Sequence, residues 1–168
     1  MTDPSAPPRP RRFLEDSTFA TVPPGEAYPA SLFLEIARDA FAAMWAPRTK
    51  PNIFRADAFY VAPSLQEAKA IIHKSHLDAQ QWVDDSFDCD DFAIVLKSNF
   101  SQAAYFNGTR KGGFAFGIIW LTEPSGHAMN WMINDDGILR FVEPQRPVES
   151  AIIEPQDFHR SGISLAVL

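Results

Sequence analysis

The single cysteine of the chain, Cys89, lies in the segment Asp-Asp-Ser-Phe-Asp-Cys-Asp-Asp-Phe, residues 84–92, which holds five acidic residues. A thiol acts as a nucleophile in its thiolate form, and neighbouring carboxylates disfavour that form. Chemistry at Cys89 therefore requires a compensating group: a helix N-terminus, a histidine or a bound cation. The rest of the sequence offers a candidate for each of these three groups.

A histidine and a carboxylate stand on the two arms of a predicted hairpin whose turn is Asp-Asp-Gly, residues 135–137. If the loop has these three residues, strand alternation places His127, Glu143 and Gln145 on one face. A two-residue loop would shift the register by one position and separate them. The first register brings a carboxylate next to the imidazole.

These residues suit a thiol site with Cys89 as nucleophile, His127 as base and Glu143 as the group that orients the ring. The alternative is a buried cysteine and a histidine without a catalytic role. A second Glu-Pro-Gln, residues 154–156, repeats the sequence of 143–145. Only the first lies on the hairpin with His127, so Glu143 is preferred.

Three helices are predicted upstream of the hairpin. Apolar periodicity indicates a helix over 31–45, and Ser64 with Glu67 forms a capping box that opens a second helix toward Lys74. The third helix begins at Cys89 with Asp88 as its N-cap, runs to about residue 105, and is apolar on most sides. Its N-terminus meets the first requirement of the thiol.

The rest of the chain is predicted as strands. Residues 114–121, 127–134 and 138–143 are rich in aromatic and β-branched side chains, and 151–168 is predicted to add an edge strand. Helices followed by a run of strands indicate an α+β domain, with the helix that bears Cys89 packed centrally on an antiparallel sheet.

Composition limits the class of protein. The 168 residues are 46% hydrophobic, enough for one core, and the net charge of −6 argues against a nucleic-acid-binding surface. Residues 1–29 carry seven prolines and are expected to form an irregular arm before a single domain at 30–168. The sequence shows neither a secretion signal nor a membrane-spanning stretch, so cytoplasmic synthesis is expected. Oligomeric state is left open.

Three ordered motifs resemble a known family. Residues 88–93 (DCDDFA), 126–130 (GHAMN) and 142–145 (VEPQ) are similar to the calcium-dependent, papain-like cysteine protease domain attached to certain mushroom agglutinins. The resemblance extends over roughly 60–147. A looser similarity links residues 88–91 to bacterial transglutaminase-like cysteine peptidases.

The resemblance implies roles for further residues. Asp90, Asp91 and Asn130 match positions whose oxygens suit calcium or manganese, and Asp88 is a metal ligand by analogy to the looser relatives. Trp82 and Gln145 are expected on the access side of the site. The mushroom proteins also carry a sugar-binding trefoil before this domain. This chain has no repeat that resembles one, so carbohydrate binding is not carried over from the resemblance.

The combined interpretation is a papain-like or transglutaminase-like domain that acts as a metal-dependent cysteine peptidase. It would cleave the amide of a protein or peptide substrate through an acyl-enzyme at Cys89. Two alternatives stay open: a transglutaminase or deamidase with the same triad, and a non-catalytic interaction module that keeps the fold.

Overall fold

The computed structural model describes residues 25–45, 52–106, 112–123, 125–159 and 161–168. The helices are α1 (Ala30–Trp45), α2 (Leu65–Ser75), α3 (Cys89–Phe106) and α4 (Val148–Ala151), with short 3-10 turns at Leu77–Ala79 and Pro155–Asp157. The strands are β1 (Ala27–Pro29), β2 (Ile53–Phe54), β3 (Phe59–Val61), β4 (Gly113–Phe114), β5 (Phe116–Glu123), β6 (His127–Ile133), β7 (Leu139–Val142), β8 (Ile152–Ile153) and β9 (Ser161–Val167).

The described strands form two sheets. The larger has the order β2-β9-β5-β6-β7-β8, and the smaller has the order β1-β3-β4. Both are mixed, because β2 pairs with β9 and β3 with β4 in parallel, whereas the other pairs are antiparallel. His127 lies in the large sheet, at the first position of β6.

Helices cover both faces of the large sheet. Phe41 of α1 packs with Trp131 of β6 at a ring-centroid distance of 5.5 Å in the core on one face. Phe100 of α3 stacks on Phe116 of β5 at 3.6 Å in the core on the other face. Burial of successive residues of β6 on opposite sides explains why this strand is almost continuously apolar.

The predicted helices and the hairpin register are confirmed. Helix α1 starts at residue 30, the Ser64–Glu67 capping box opens α2, and α3 begins at Cys89. In the hairpin, Ile133 lies opposite Leu139, and the amide of Asn134 donates to the carbonyl of Ile138. The loop therefore has three residues, and Gly137 adopts the positive φ of 75° that this turn requires.

The predicted architecture is wrong in its main feature. It placed one central helix on an antiparallel sheet, whereas nine described strands in two mixed sheets dominate, and α1 covers the face opposite α3. Five of these strands, β1 to β4 and β8, have only two or three residues. Segments this short have no recognisable hydrophobic periodicity, so the second sheet could not be predicted from local sequence patterns.

The C-terminal segment also differs from the prediction. Strand β9 is not an edge strand, because it lies between β2 and β5; β8 occupies an edge. Of the predicted arm at 1–29, residues 1–24 lie outside the described residues, and 27–29 form β1. None of the described helices combines the length and apolar content needed to cross a bilayer.

Candidate functional site

An open cleft of about 500 Å³ lies where the N-terminus of α3 meets the ends of β5 and β6. Helix α3 contributes Cys89 and Asp90, Asp88 immediately precedes the helix, and His127 lies at the first position of β6. The opposite wall comes from the sheet. The lining residues are Asp88, Cys89, Asp90, Trp120, Leu121, Thr122, Gly126, His127, Ala128 and Ser164.

His127 is held by a carboxylate behind the cleft. Its Nε2 lies 2.7 Å from Oε2 of Glu143, and the two side chains are only 13% and 12% exposed. Glu143 follows the last residue of β7, and its backbone amide donates to the carbonyl of Ala151. The second carboxylate oxygen, Oε1, is buried and has no partner among the described residues. The pair fixes the imidazole ring at the cleft.

Cys89 is half-buried at the first position of α3. The backbone amide of Ala128 donates to its Sγ at 3.3 Å, across the contact between α3 and β6. A donated N–H and a helix N-terminus both favour a negatively charged sulfur. Cys89 and His127 line the same cleft, and among the described residues no hydrogen bond joins them.

The carboxylates around Cys89 fall into two overlapping groups. Ligand atoms of Asp88, Cys89 and Asp90 lie within 4.8 Å of one another, and so do those of Asp84, Asp85 and Asp88. A hydrogen bond to Asp88 raises the pKa of Asp90, and burial and the charges of Asp88 and Asp91 act in the same direction. Such repulsion is what a cation would relieve.

Asp91 has a different role in the geometry. Its Oδ2 accepts from the backbone amide of Asp88 at 3.2 Å, while Oδ1 of Asp88 accepts from the amide of Asp90 at 3.4 Å. These are helix-capping contacts. Of the predicted metal ligands, the structure therefore brings Asp88 and Asp90 together and engages Asp91 in the cap.

Asn130, the fourth predicted metal ligand, is fully buried under α3. Its Nδ2 donates to the carbonyls of Ala93 at 2.9 Å and Gly117 at 3.0 Å, which ties α3 to β5 through β6. Its Oδ1 has no partner among the described residues. The side chain therefore joins α3 to β5, and its unpartnered oxygen is buried rather than on the wall of the cleft.

Two predicted access residues do not line the cleft. Trp82 is 50% exposed in the loop before α3, and Gln145 lies in the turn after β7. Sequence reasoning missed Trp120, Thr122 and Ser164, which form the sheet side of the cleft. Alternation along β5 would have placed Trp120 and Thr122 together, but the pairing of β9 with β5 has no local sequence signal.

Comparison with known proteins identifies the family. The family model described as "Agglutinin C-terminal" matches residues 60–149, which is 90 of the 168 residues. The chain therefore belongs to the agglutinin C-terminal family. The matched segment holds nine of the ten residues that line the cleft, with Ser164 outside it. No curated protein matches the chain.

Two solved structures share the fold at 20% sequence identity. One, described as a PSL1a-E64 complex, has a TM-score of 0.67, covering 84% of this chain and 51% of its own. The other is Polyporus squamosus lectin bound to the epitope Neu5Acα2-6Galβ1-4GlcNAc, with a TM-score of 0.64, covering 84% of this chain and 49% of its own. The chain thus spans about half the length of the solved structures it matches.

These descriptions correct several predictions. They name agglutinins and a lectin rather than a protease, so they contradict a calcium-dependent papain-like cysteine protease, a hydrolase function and a protein or peptide substrate. The papain-like or transglutaminase-like fold class is likewise replaced by the sheet-rich fold shared with the lectin. The comparisons do not test the roles of individual residues, so the catalytic roles of Cys89, His127 and Glu143 stay predictions.

Proposed function

We propose that this chain is a ligand-binding module of an agglutinin, which acts by holding a ligand in the cleft at the start of α3. Membership of the agglutinin C-terminal family is the observation that carries this proposal, since the family segment contains nearly the whole cleft. Of the predicted functions, the non-catalytic interaction module is the one the family favours.

The chemistry of the cleft suits a carbohydrate group. The half-buried Trp120 offers apolar ring surface, and Asp88, Asp90 and Thr122 offer oxygen acceptors beside it. Ligand sites of this kind combine an apolar surface with a few convergent polar groups. The epitope bound by the matched lectin supplies a first probe, although that lectin is about twice the length of the matched region.

The test is calorimetric titration of the chain with Neu5Acα2-6Galβ1-4GlcNAc and with the disaccharide that lacks the acidic sugar. Binding is expected for at least one sugar and should be lost in Trp120→Ala. Trp82→Ala is the matched control, because Trp82 is exposed and does not line the cleft. Absence of binding by both sugars would overturn the carbohydrate assignment. Turnover of any added glycan or peptide that depends on Cys89 would overturn the binding module itself.

A second candidate is a reactive thiol in the same cleft. The favouring observation is the arrangement of Cys89, His127 and Glu143, with the Ala128 amide donating to the sulfur. An imidazole held by a carboxylate can take the thiol proton and stabilise the resulting ion pair. Alkylation of Cys89 by iodoacetamide should then exceed that of the unfolded chain at neutral pH. Equal rates would remove this candidate.

A bound cation is proposed for the acidic start of α3. The fit rests on the ligand atoms of Asp88 and Asp90, which lie within 4.8 Å of one another, and on the hydrogen bond between them that raises the pKa of Asp90. Asn130, the other predicted ligand, has an unpartnered buried oxygen under the same helix. Oxygen ligands of these types suit calcium or manganese. The cation would neutralise carboxylates, while Asp91 keeps its capping contact and Asn130 continues to join α3 to β5.

A further inference from the structure

The pairing between β9 and β5 contains a bulge at the cleft. Trp120 lies opposite Leu165 and Leu121 opposite Ile163, which leaves Ser164 without a partner. A bulge of this kind changes the direction in which a side chain points, and bulges recur beside functional sites. Ser164 is exposed and lines the cleft.

The packing of β9 shows the same change of direction. Ile163 and Ala166 both belong to the core under α1, although residues three apart on a regular strand face opposite sides. The bulge accounts for this because two consecutive residues, Ser164 and Leu165, lie between them. Without it, regular alternation could not keep both apolar residues in the core and Ser164 in the cleft.

Two hydroxyl groups next to Trp120 have their hydrogens engaged. Ser164 Oγ donates to the carbonyl of Trp120, and Thr122 Oγ1 donates to the carbonyl of Gly162, each at 3.2 Å. A hydroxyl has one donor and two acceptor lone pairs. Toward a ligand, both oxygens are therefore acceptors, set beside an indole ring.

We propose that Trp120, Thr122 and Ser164 form a ligand subsite that takes a hydrogen-bond-donating group, and that the small Ser164 side chain sets its size limit. The subsite extends the binding function proposed above and belongs to the same cleft. Because Ser164 lies outside the matched family segment, it is a point at which this chain can differ from its relatives.

The size limit is tested through Cys89, since it is the single cysteine and lies in the cleft. Labelling rates are measured with iodoacetamide and with a bulky fluorescein maleimide. Ser164→Trp should slow the maleimide about tenfold more than iodoacetamide, and Ser164→Thr should give a smaller change in the same direction. Ser98→Trp, on the exposed side of α3, is the matched control and should leave the ratio unchanged.

The preference for a donor is tested with two chloroacetamides of equal size, one ending in a primary amide and one in a methyl ketone. The wild-type chain should label at least about threefold faster with the amide, and Thr122→Val combined with Ser164→Ala should remove the difference. A maleimide-to-iodoacetamide rate ratio that does not change when residue 164 is substituted, or equal labelling rates for the amide and the ketone, would overturn the proposal. Both readouts are independent of sugar binding, so failure of the binding function would not imitate either result.

Discussion

The β6–β7 hairpin carries a polar group at each end, and the two groups differ in how completely they are satisfied. At the turn, the buried Arg140 bonds Glu154 at 2.7 Å, Asp136 at 2.8 Å and the side-chain oxygen of Asn134 at 3.2 Å. At the cleft, His127 bonds Glu143, and Oε1 of Glu143 stays buried without a partner among the described residues.

The turn end of the hairpin therefore has a structural role, and the cleft end has the features of a binding site. A buried polar network whose members are all paired rigidifies a fold, whereas a buried group left unpaired costs free energy unless a ligand supplies its partner. The turn end therefore stabilises the hairpin. The cleft end is less stabilising, because a buried carboxylate oxygen of Glu143 has no partner until a ligand provides one. Substitutions at the two ends should therefore have different effects.

Replacement of Arg140 should have the largest effect. Arg140→Met leaves the carboxylates of Asp136 and Glu154 without their buried cation, and we expect the free energy of unfolding to fall by about 3 kcal/mol. Iodoacetamide labelling of Cys89 in the folded protein should keep its rate. Urea unfolding followed by circular dichroism measures the first quantity. A stable variant with slowed labelling would show that the two ends are not separate.

Calcium should stabilise the cleft end only. At a hundredfold excess over its dissociation constant, a ligand bound by the folded state alone adds roughly 2.7 kcal/mol to the free energy of unfolding. The melting temperature should rise with calcium or manganese, fall with chelator, and rise equally in Arg140→Met. Asp90→Asn should weaken the response, and magnesium is the control ion. A melting temperature indifferent to all of these would leave the carboxylates as helix caps.

The two Glu-Pro-Gln glutamates offer a matched pair. Glu143→Gln keeps a hydrogen bond to His127 but stabilises imidazolium less, so Cys89 labelling should slow by at least about tenfold. Its free energy of unfolding should change by no more than about 1 kcal/mol. Glu154→Gln should do the reverse, because its carboxylate bonds Arg140. Reversed results would mean that the wrong glutamate was assigned to the imidazole.

Local sequence signals predicted the elements around the site well. The Ser64–Glu67 box, the Asp88–Asp91 cap and the Asp-Asp-Gly turn each act within four residues, so they predicted α2, the start of α3 and the hairpin register. Once that register was correct, the contact between His127 and Glu143 followed from alternation alone.

Long-range features could not be predicted, because local signals carry no information about pairing between distant segments. The insertion of β9 between β2 and β5, its bulge at Ser164 and the second sheet depend on pairings between segments that are distant in sequence. Asn130 illustrates the limit at a single residue: the resemblance implied a metal ligand, which stays a prediction, but nothing in the sequence indicated that its nitrogen bonds two carbonyls of the core. The functional class was corrected by the family, since the residues alone suit several classes.

The smallest expected effect is on the pH dependence of stability at the cleft end. Since the pKa of Asp90 is raised above its ordinary 3.8, the folded state keeps a proton that the unfolded state has released. The folded state therefore binds more protons in that window, and this contribution to stability is lost as pH rises through the folded pKa. Asp90→Asn removes it, so the stability of the variant relative to wild type should increase between about pH 4 and about pH 7. Urea unfolding across this range measures the difference, with Asp39→Asn, an exposed carboxylate of α1, as control.

Saturating calcium should suppress the pH dependence in the wild-type chain, because a bound cation replaces the proton that Asp90 holds in the folded state. Parallel pH profiles of the wild-type chain and Asp90→Asn without calcium would show that Asp88 and Asp90 do not repel each other.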